Sequence, residues 1–569
     1  MIANIFKILN VNEKKYLVAI SILMIFGAFF EMLGIGLVVP IVLVLIKGKE
    51  ALLKIEFLSK YEYLINSFSD FQLLFSILFL TVFVYLIKYL FLIFLYLVQY
   101  NFSYKILNRI VYEMMENYLK KPSLYFASIN SSKLINNLFN QANIFISQVV
   151  EPLLLIISEA IVFFGILFFL IYFQPFIVTT ATFLLIAPTI LVYLLVKNKT
   201  KLWGMQQQQY EEKVIKNLQE TFQGVKEIKI FQKEKDFLSS FVKFFKKSTE
   251  ARKNILISNN MPRIWLEFVS IILFSLFIML YSNIKTADEI ISILAIFTLA
   301  FFRILPSLNR IIQAIQSLRF GHASAFRIYQ ELSDYETNVN SGFKNANSFV
   351  SFESIQFKNV NFAYNTNTTI LKNINIKIKK NDFIGIVGKT GSGKSTFVDI
   401  LTGLLPHTSG DVLINEKISI SEMNKNNWFS CIGYVPQVSN LLDSKIIDNI
   451  TLEKDENKID HDHLKFCIQV AEIDTYINLL PKKLYTEVGE RAIQISGGQK
   501  QRIVVARALY KKPQILILDE ATSGLDSDTE EKIINNLKKL GITIVMITHQ
   551  KKLLLNCSKV LNLDNNQKE

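Results

Sequence analysis

The most specific chemistry in this 569-residue chain is carried by a glycine-rich segment that ends in lysine and serine, 388-GKTGSGKS-395. An apolar run typical of a buried strand, Phe383–Val387, precedes it, and a helical pattern follows it. Glycines in such a loop let backbone N–H groups turn toward a phosphate, and the start of a helix adds partial positive charge. The lysine supplies a charge for the terminal phosphates, and the serine a hydroxyl for Mg²⁺. The sequence therefore predicts a nucleoside triphosphate site made of Gly388, Lys389, Thr390, Gly391, Ser392, Gly393, Lys394, Ser395 and Thr396.

Two adjacent carboxylates, Asp519 and Glu520, end a second apolar run that is typical of a buried strand. We expect Asp519 to hold Mg²⁺ together with Ser395, and Glu520 to orient the water that attacks the γ-phosphate. His549 ends a third apolar run, residues 542–547, and its place after the carboxylates indicates a role at the γ-phosphate. Glu520 and His549 are thus the predicted catalytic residues.

A second glycine-rich helix start lies at 496-SGGQ-499, ahead of a predicted helix that continues to about Leu509. A serine and two glycines at the N-terminus of a helix form a second candidate anion site. An ordinary capped helix has the same pattern, so these residues alone leave both interpretations open.

Taken together, these motifs make residues 351–569 resemble the nucleotide-binding domain of an ATP-binding cassette transporter. The resemblance implies ATP and Mg²⁺ as cofactors and a homodimer with a second identical subunit. It places each ATP between the phosphate loop of one chain and the signature motif of the other. It also implies roles for further residues. Tyr364 would stack on adenine, and Gln437 of the Q-loop would join Ser395 and Asp519 at Mg²⁺. Asp526 would belong to the D-loop and His549 would be the switch histidine, while the signature, which follows an unusual Ile495, would consist of Ser496, Gly497, Gly498 and Gln499.

The first 320 residues have a different composition from the rest of the chain, because long apolar runs fill them. Apolar residues make up 51% of the chain and charged residues only 19%, against about 25% charged in ordinary soluble proteins. Six runs come near the ~20 residues that a bilayer requires. We therefore predict spans at 17–46, 71–100, 150–172, 176–197, 263–283 and 288–314 within a transmembrane domain 1–334, followed by a linker 335–350 and the nucleotide-binding domain 351–569.

The net charge of +14 raises the question of nucleic-acid binding. Its distribution argues against that class, since Lys197–Lys253 carries 14 basic and 7 acidic residues between two apolar runs. Basic connections beside spans are typical of the cytoplasmic side. We expect a multi-pass protein of the bacterial inner membrane with its nucleotide domain in the cytoplasm and no nucleic-acid partner. The cysteines Cys431, Cys467 and Cys557 are expected to be free thiols.

The predicted fold class is an α-helical transmembrane bundle of six spans, of the ABC exporter type, fused to an α/β P-loop NTPase domain. Breaks between long helices are expected at Pro122 and Gly224. Apolar residues recur every three to four positions over 47–70, which predicts an amphipathic helix. That helix could lie on the outer membrane surface or pack on the bundle, and the sequence does not separate these alternatives.

Charges inside spans are costly and usually functional. Lys88, Arg263, Arg303 and Arg310 occupy such positions, and the last two are seven residues apart, so they share one helix face. Guanidinium groups there would suit phosphate oxygens. The alternative for Lys88 and Arg263 is an interfacial position or an ion pair with Glu31, Glu159 or Glu267.

The segments around Arg263 and Arg303–Arg310 resemble those of bacterial flippases for polyprenyl-diphosphate-linked oligosaccharides. This narrower resemblance implies a basic cavity for the diphosphate–sugar head of a lipid-linked glycan, with the lipid tail in the membrane. Export of drugs, peptides or other lipids is the alternative. An ATP-gated channel or a non-transporting ATPase is a third hypothesis, which the presence of Glu520 and of the predicted spans disfavours.

Overall fold

The computed structural model describes residues 7–48, 63, 67–173, 199–200, 202–281, 287–340, 351–365, 368–489, 495–521 and 524–564. The chain forms two compact units. The first comprises Met1–Lys121 and Phe126–Asn340, and the second comprises Pro122–Tyr125 and Ser341–Glu569.

The first unit is helical throughout its described part. Two helices with both ends among the described residues, Asp70–Lys120 and Glu234–Tyr281, have 51 and 48 residues, more than the ~20 residues that cross a bilayer. Besides a helix over residues 202–223, this unit contains Val11–Lys47, Asp70–Lys120, Ser131–Asn136, Ala142–Phe145, Glu151–Phe173, Val225–Ile230, Glu234–Tyr281, Ala287–Phe320 and His322–Asn340, together with the π-helical turns Asn137–Gln141 and Ile146–Val150. The short helix Ser123–Ser128 is divided between the two units after Tyr125.

Three helical stretches among the described residues are long and apolar enough to cross a membrane, namely Val11–Gly34, Asp70–Lys120 and Ser131–Phe168. They overlap the predicted first, second and third spans, although the first stretch ends at Gly34 and the third at Phe168, before the predicted ends at 46 and 172. The fourth, 176–197, lies outside the described residues, and so does most of the predicted amphipathic helix 47–70. Helices Glu234–Tyr281 and Ala287–Phe320 occupy the positions predicted for the fifth and sixth spans.

Both predicted helix breaks are confirmed. One long helix ends at Lys120, and the next begins at Ser123, directly after Pro122. Gly224 forms a turn between the helix over 202–223 and helix Val225–Ile230. Residues 335–340, predicted as the start of a linker, belong to helix His322–Asn340, and 341–350 lie outside the described residues.

A close contact joins the helix junction at Gly321 to the π-helical turn Ile146–Val150. A Cβ atom on Gly321 would lie 2.5 Å from Val149 Cγ2 and 3.0 Å from the carbonyl oxygen of Gln148. Three residues after Gly321, Ser324 connects two other helical segments by hydrogen bonds. Its Oγ accepts from Gln208 Nε2 at 2.7 Å and donates to Gln141 Oε1 at 2.6 Å. Glycine is therefore required for the helices to approach each other here.

The second unit contains two sheets, and their order fixes the position of the candidate site. A four-stranded antiparallel sheet has the order β2-β1-β4-β5, and a five-stranded parallel sheet has the order β6-β7-β8-β3-β9. Isoleucine, leucine and valine fill the central parallel strands, as expected for a sheet covered on both faces. The strands are β1 Ser354–Asn365, β2 Thr368–Lys379, β3 Phe383–Val387, β4 Ser409–Ile414, β5 Ile418–Ser419, β6 Ile432–Val435, β7 Ile515–Asp519, β8 Thr543–Ile547 and β9 Lys559–Asn562.

Two buried hydrophobic clusters hold these layers together. Phe357 and Phe397 stack in one of them with ring centroids 4.7 Å apart, so the antiparallel sheet packs on the helix that follows the phosphate loop. The helices of this unit are Lys394–Leu401, Lys425–Ser430, Ile446–Thr451, His461–Val470, Asp474–Leu479, Gly497–Tyr510, Ser527–Lys539 and Lys551–Leu554, with 3₁₀ turns at Glu456–Lys458 and Lys483–Tyr485.

Candidate functional site

The predicted nucleotide residues follow the carboxyl ends of adjacent strands of the parallel sheet. The glycine-rich segment follows β3, Asp519 ends β7, and His549 comes two residues after β8. Gln437 follows β6 at the same distance. Because parallel strands end at one edge of their sheet, these side chains meet in the crevice where α/β proteins bind ligands.

The glycine-rich segment forms a tight loop ahead of helix Lys394–Leu401. Gly391 and Gly393 have φ values of +85° and +93°, a left-handed conformation that only glycine adopts readily. A Cβ atom on Gly393 would also lie 2.8 Å from Leu371 Cδ2. Lys394 Nζ donates to the carbonyl oxygens of Gly388 at 2.7 Å and Lys389 at 3.1 Å. The ammonium group of Lys394 is therefore held by two carbonyl oxygens at the start of the loop, in the position from which it would contact a bound phosphate.

A carboxylate near the end of the described chain also holds this loop. The backbone N–H of Lys389 donates to Asp564 Oδ1 at 2.8 Å, and the backbone N–H of Asp564 donates to Asn562 Oδ1 at 3.0 Å. Strand β9, which ends at Asn562, pairs in parallel with β3. Sequence reasoning missed Asp564; the only available signal was that it closely follows the last apolar strand.

Glu520 lies between His549, the other residue predicted to act at the γ-phosphate, and Gln437, which is predicted to hold Mg²⁺. Gln437 Nε2 donates to Glu520 Oε2 at 2.7 Å, and His549 Nε2 is 3.3 Å from Glu520 Oε1. Glu520 has a φ of +48°, an uncommon backbone conformation for a glutamate. Its backbone N–H donates to the carbonyl oxygen of Ile547 at 3.1 Å, which fixes this turn against β8. The carboxylate is thus held between an amide and an imidazole and is suited to orient a water molecule.

Asp519 is buried beside Glu520 and contacts a tyrosine that sequence reasoning missed. Tyr434 donates its hydroxyl to Asp519 Oδ2 at 3.3 Å. Burial raises the pKa of Asp519, and the bond from Tyr434 opposes that shift. Burial and the neighbouring Asp519 also raise the pKa of Asp399. For Tyr434, burial and both carboxylates raise the pKa of the phenol, so the hydroxyl remains a donor.

The side chains predicted to hold Mg²⁺ provide hard oxygen ligands, which this ion prefers. Ser395 offers a hydroxyl and Asp519 a carboxylate. Gln437 uses its amide nitrogen to bond Glu520, so its amide oxygen remains for a metal ion. The donor set at the described site therefore fits Mg²⁺, which would neutralise charge on the β- and γ-phosphates.

Tyr364, the predicted adenine platform, lies on β1. The residue is 47% exposed, and its ring packs edge-on against Phe362 with centroids 4.9 Å apart. Its hydroxyl is 3.4 Å from Thr396 Oγ1, on the helix after the phosphate loop. The structure thus brings Tyr364 beside the loop with part of its ring available for stacking.

The signature residues begin helix Gly497–Tyr510 with a capping box. Ser496 Oγ accepts the backbone N–H of Gln499 at 3.3 Å, and Gln499 Oε1 accepts the backbone N–H of Ser496 at 3.0 Å. A Cβ atom on Gly497 would meet nothing within 4 Å, whereas one on Gly498 would lie 3.0 Å from the carbonyl oxygen of Gly524. The helix N-terminus thus has open space at Gly497, which suits an external ligand.

Asp526, predicted in the D-loop, caps the next helix. Its Oδ2 accepts the backbone N–H of Thr529 at 3.0 Å, and this bond lowers the pKa of the carboxyl group. The backbone N–H of Gly524 donates to Gln501 Oε1 at 3.1 Å. The signature helix and the D-loop are therefore linked within one chain through Gln501, a residue that sequence reasoning did not single out.

Three of the four predicted substrate-binding cations form ion pairs within the first unit. Lys88 Nζ is 2.7 Å from Glu31 Oε2, and Arg263 Nε is 2.9 Å from Glu267 Oε1. The carboxylate partners are those that the sequence offered as the alternative for Lys88 and Arg263. The side chain of Arg303, on helix Ala287–Phe320, lies outside the described part.

Arg310 belongs to a more elaborate contact between helices Glu151–Phe173 and Ala287–Phe320. Arg310 Nε is 2.8 Å from Glu159 Oε1, and Ser307 Oγ donates to Glu159 Oε2 at 2.5 Å. The Glu159 side chain is 9% exposed and that of Arg310 is 38% exposed. The carboxylate is buried while the guanidinium retains accessible surface.

Comparison with known proteins identifies both units. The ABC transporter family matches residues 371–523, and the ABC transporter transmembrane region matches residues 17–307, more than half of the chain. An export ATP-binding/permease protein of Rickettsia typhi, RT0691, is 28% identical over 477 residues, covering 82% of this chain and 80% of the relative.

Two relatives match a shorter part at higher identity. The lactococcin-A transport/processing protein LcnC of Lactococcus lactis is 35% identical over 42% of this chain and 32% of its own. The alpha-hemolysin translocation protein HlyB of Escherichia coli O157:H7 is 38% identical over 37% of this chain and 30% of its own. A solved bacterial Atm1-family ABC exporter with ATP bound has a TM-score of 0.77 at 18% identity, over 98% of this chain and 95% of that one, which shows a shared fold.

A helical membrane unit and an α/β ATP-binding unit on one chain define an ABC exporter. The chain belongs to the ABC transporter family, and it couples ATP hydrolysis to transport.

Proposed function

We propose that this exporter moves a polyprenyl-diphosphate-linked oligosaccharide across the bacterial inner membrane as a homodimer, with its nucleotide domain, residues 351–569, in the cytoplasm. A transmembrane domain 1–334 carries the substrate path, and a linker 335–350 joins the two. Each ATP, with Mg²⁺ on Ser395, Asp519 and Gln437, lies between the phosphate loop of one subunit and Ser496–Gln499 of the other. Glu520 orients the attacking water, and His549 contacts the γ-phosphate.

The observation that supports this substrate is the Arg310–Glu159–Ser307 contact within the membrane region. Ionisable groups inside a membrane are rare and usually mark a substrate path. The Arg310 side chain keeps 38% of its surface exposed although its partner Glu159 is buried. A guanidinium in this position can offer further donors to phosphate oxygens while Glu159 fixes its orientation.

The ion pairs impose a condition on this proposal. Lys88 and Arg263 each already have a carboxylate partner, so their net contribution to a cavity is close to neutral. A diphosphate would bind to a cation that still has hydrogen-bond donors without a partner, or to one whose ion pair with its carboxylate breaks. Arg310, whose guanidinium retains exposed surface beside a buried partner, is proposed as a principal diphosphate ligand, together with Arg303, which the sequence places on the same helix face. Lys88 and Arg263 are proposed as secondary ligands.

The test measures glycan translocation and ATP hydrolysis in proteoliposomes with Arg303→Ala/Arg310→Ala. We expect translocation to fall at least tenfold, since each lost charged hydrogen bond removes about 1.5–3 kcal/mol, while basal ATP hydrolysis persists. Arg263→Ala serves as the control with an exposed pair, and we expect a smaller loss. Full translocation by the double variant would rule out the basic-cavity mechanism.

Export of peptides or drugs is the second candidate, because two relatives are named for lactococcin-A transport and alpha-hemolysin translocation. Those matches cover 42% and 37% of this chain. A screen for ATPase stimulation separates the candidates: selective stimulation by peptides or drugs, and not by lipid-linked diphosphates, would favour this one.

A further inference from the structure

An open groove runs along one face of helix Glu234–Tyr281, outside the contacts described so far. Its volume is about 640 Å³, and its described lining comes from the segment between Thr249 and Ile264. Thr249, Arg252 and Lys253 line one end, and four apolar side chains together with Asn260 line the rest. Leu256, Ile257, Met261 and Ile264 are 55%, 51%, 53% and 67% exposed.

The end of the groove lined by Arg252 and Lys253 is strongly basic. Between Lys246 and Lys253 the sequence has four basic residues and a single acidic one, Glu250. Among the residues that the structure describes, neither Arg252 nor Lys253 has a carboxylate at ion-pair distance, whereas Arg263 further along the helix pairs with Glu267. These two cations therefore have capacity for an external anion.

The position of the cations along the helix matches the phosphate level of a bilayer. From Lys253 to Tyr281 the helix rises about 42 Å at about 1.5 Å per residue, and a bilayer with its headgroups is about 40–45 Å thick. Tyrosine favours the membrane interface. With Tyr281 at the outer interface, Lys253 reaches the headgroups of the cytoplasmic leaflet, so the helix would enter the membrane about ten residues before the predicted fifth span, 263–283.

The apolar part of the groove extends over most of one leaflet. Leu256 and Ile264 are separated by about 12 Å along the axis, compared with about 15 Å for half of a hydrocarbon core of about 30 Å. A phosphate at the basic end would leave its acyl chain beside the apolar side chains. Charge and length thus fit the same molecule.

We propose that this groove is a binding site for an anionic phospholipid of the cytoplasmic leaflet. Its phosphate contacts Arg252 and Lys253, and one acyl chain lies along Leu256, Ile257, Met261 and Ile264. The site is independent of the transported substrate. It would anchor the cytoplasmic end of this long helix to the membrane surface and make the protein sensitive to the anionic lipid content of the leaflet.

The experiment titrates the full-length protein in detergent with phosphatidylglycerol and, separately, with phosphatidylcholine of the same acyl chains, without nucleotide, and counts bound lipids by native mass spectrometry. We expect phosphatidylglycerol to bind at least tenfold more tightly and to be weakened by salt. In Arg252→Gln/Lys253→Gln its affinity should fall about 10- to 30-fold, from about 1 kcal/mol per basic residue. Equal binding of the two lipids to the wild type would overturn the proposal without any variant.

A matched control removes the same charge elsewhere on the helix. Lys243 lies about 14 Å from Arg252 along the axis, and Lys235 lies about 26 Å from it. Lys235→Gln/Lys243→Gln should therefore keep wild-type lipid affinity. An equal loss in both double variants would show a general charge effect and refute the site.

The apolar half of the groove is tested by Leu256→Ser/Met261→Ser, for which we expect the phosphatidylglycerol affinity to fall about fivefold. Because the headgroup alone lacks the acyl chain, free glycerol phosphate should show no measurable binding to the wild type. The same spectra report the mass of the assembly. If the variants bind lipid normally but change from dimer to monomer, the groove is a contact with a second copy, and the lipid proposal is wrong.

Discussion

At the scale of single residues, the hydroxyl of Tyr434 favours the ionised form of Asp519, the carboxylate predicted to hold Mg²⁺. Burial raises the pKa of Asp519, and the bond from Tyr434 at 3.3 Å counters it. Asp519 must be ionised to bind a metal, so ATP hydrolysis should fall as the pH decreases. Tyr434→Phe removes the opposing bond and raises the pKa further. The acid limb of the pH–rate profile should therefore move to higher pH, with kcat at alkaline pH within about twofold of wild type.

The matched variant for that experiment is Tyr364→Phe, which removes a hydroxyl near the site that does not contact Asp519. Its acid limb should coincide with that of the wild type. A Tyr434→Phe profile that overlays the wild type, or that moves to lower pH, would show that Tyr434 does not stabilise the ionised carboxylate.

Asp564 gives a second prediction at this scale, because it accepts the N–H of Lys389 at the start of the phosphate loop. Asp564→Ala leaves that donor to water, and the loop should become less ordered. We expect the KM for ATP to rise about three- to tenfold with kcat nearly unchanged, since one such bond is worth about 0.5–1.5 kcal/mol.

Asp564→Asn keeps an acceptor oxygen and should restore a KM near that of the wild type. Steady-state ATPase kinetics, together with nucleotide binding in a Glu520→Gln background, measure both variants. Equal KM values for the alanine variant and the wild type would contradict a positioning role.

At the scale of elements, the packing of helix junctions is tested at Gly321. Gly321→Ala places a Cβ atom 2.5 Å from Val149 Cγ2 and 3.0 Å from the carbonyl oxygen of Gln148. Such overpacking typically costs about 1–3 kcal/mol, so the apparent unfolding temperature should fall by several degrees. Gly36→Ala is the control, because a Cβ atom there would meet nothing within 4 Å. Equal unfolding temperatures for the two variants in thermal scans would refute the constraint.

The sequence predicted most of the elements whose signal is local, that is, whose hydrophobic periodicity and end signals are carried by neighbouring residues. Phe383–Val387 was predicted as a strand from its apolar run and is β3, and the breaks at Pro122 and Gly224 follow from residue type. The π-helical turns Asn137–Gln141 and Ile146–Val150 were not predicted. They depend on contacts with distant helices, which leave no local periodicity.

The candidate site divides in the same way. Motif spacing located Lys394, Asp519, Glu520 and His549, because each lies at or after the end of a recognisable apolar strand, and the family resemblance located Gln437. Tyr434 and Asp564 escaped detection, since their roles arise only when β6 lies beside β7 and β9 beside β3. The ion pair of Lys88 with Glu31 joins residues far apart in the chain, so the sequence could name both partners but could not choose between pairing and a free cation.

At the scale of the whole molecule, the proposed dimer makes each ATP site from two subunits. Lys394→Ala removes the phosphate-loop charge, and Ser496→Arg blocks the signature. Each variant alone should hydrolyse ATP at least a hundredfold more slowly. A mixed dimer of the two has one intact site if sites form between subunits, and none if each site lies within one chain.

Differently tagged variants, co-expressed and purified through both tags, should therefore recover about half of the wild-type ATPase rate if the sites act independently. Mixed dimers of wild type and Ser496→Arg provide the reference for one intact site. The absence of any recovery would exclude the shared-site arrangement.

The left-handed backbone of Glu520 lowers the stability of the ATP-binding unit at a residue that is predicted to be needed for ATP hydrolysis. A glutamate with a φ of +48° carries conformational strain of about 1–2 kcal/mol, which glycine would relieve at this turn. Replacement by glycine should therefore make the ATP-binding unit more heat-resistant and inactive together. A screen of random variants for a higher melting temperature alone would therefore favour Glu520→Gly and would select an inactive protein.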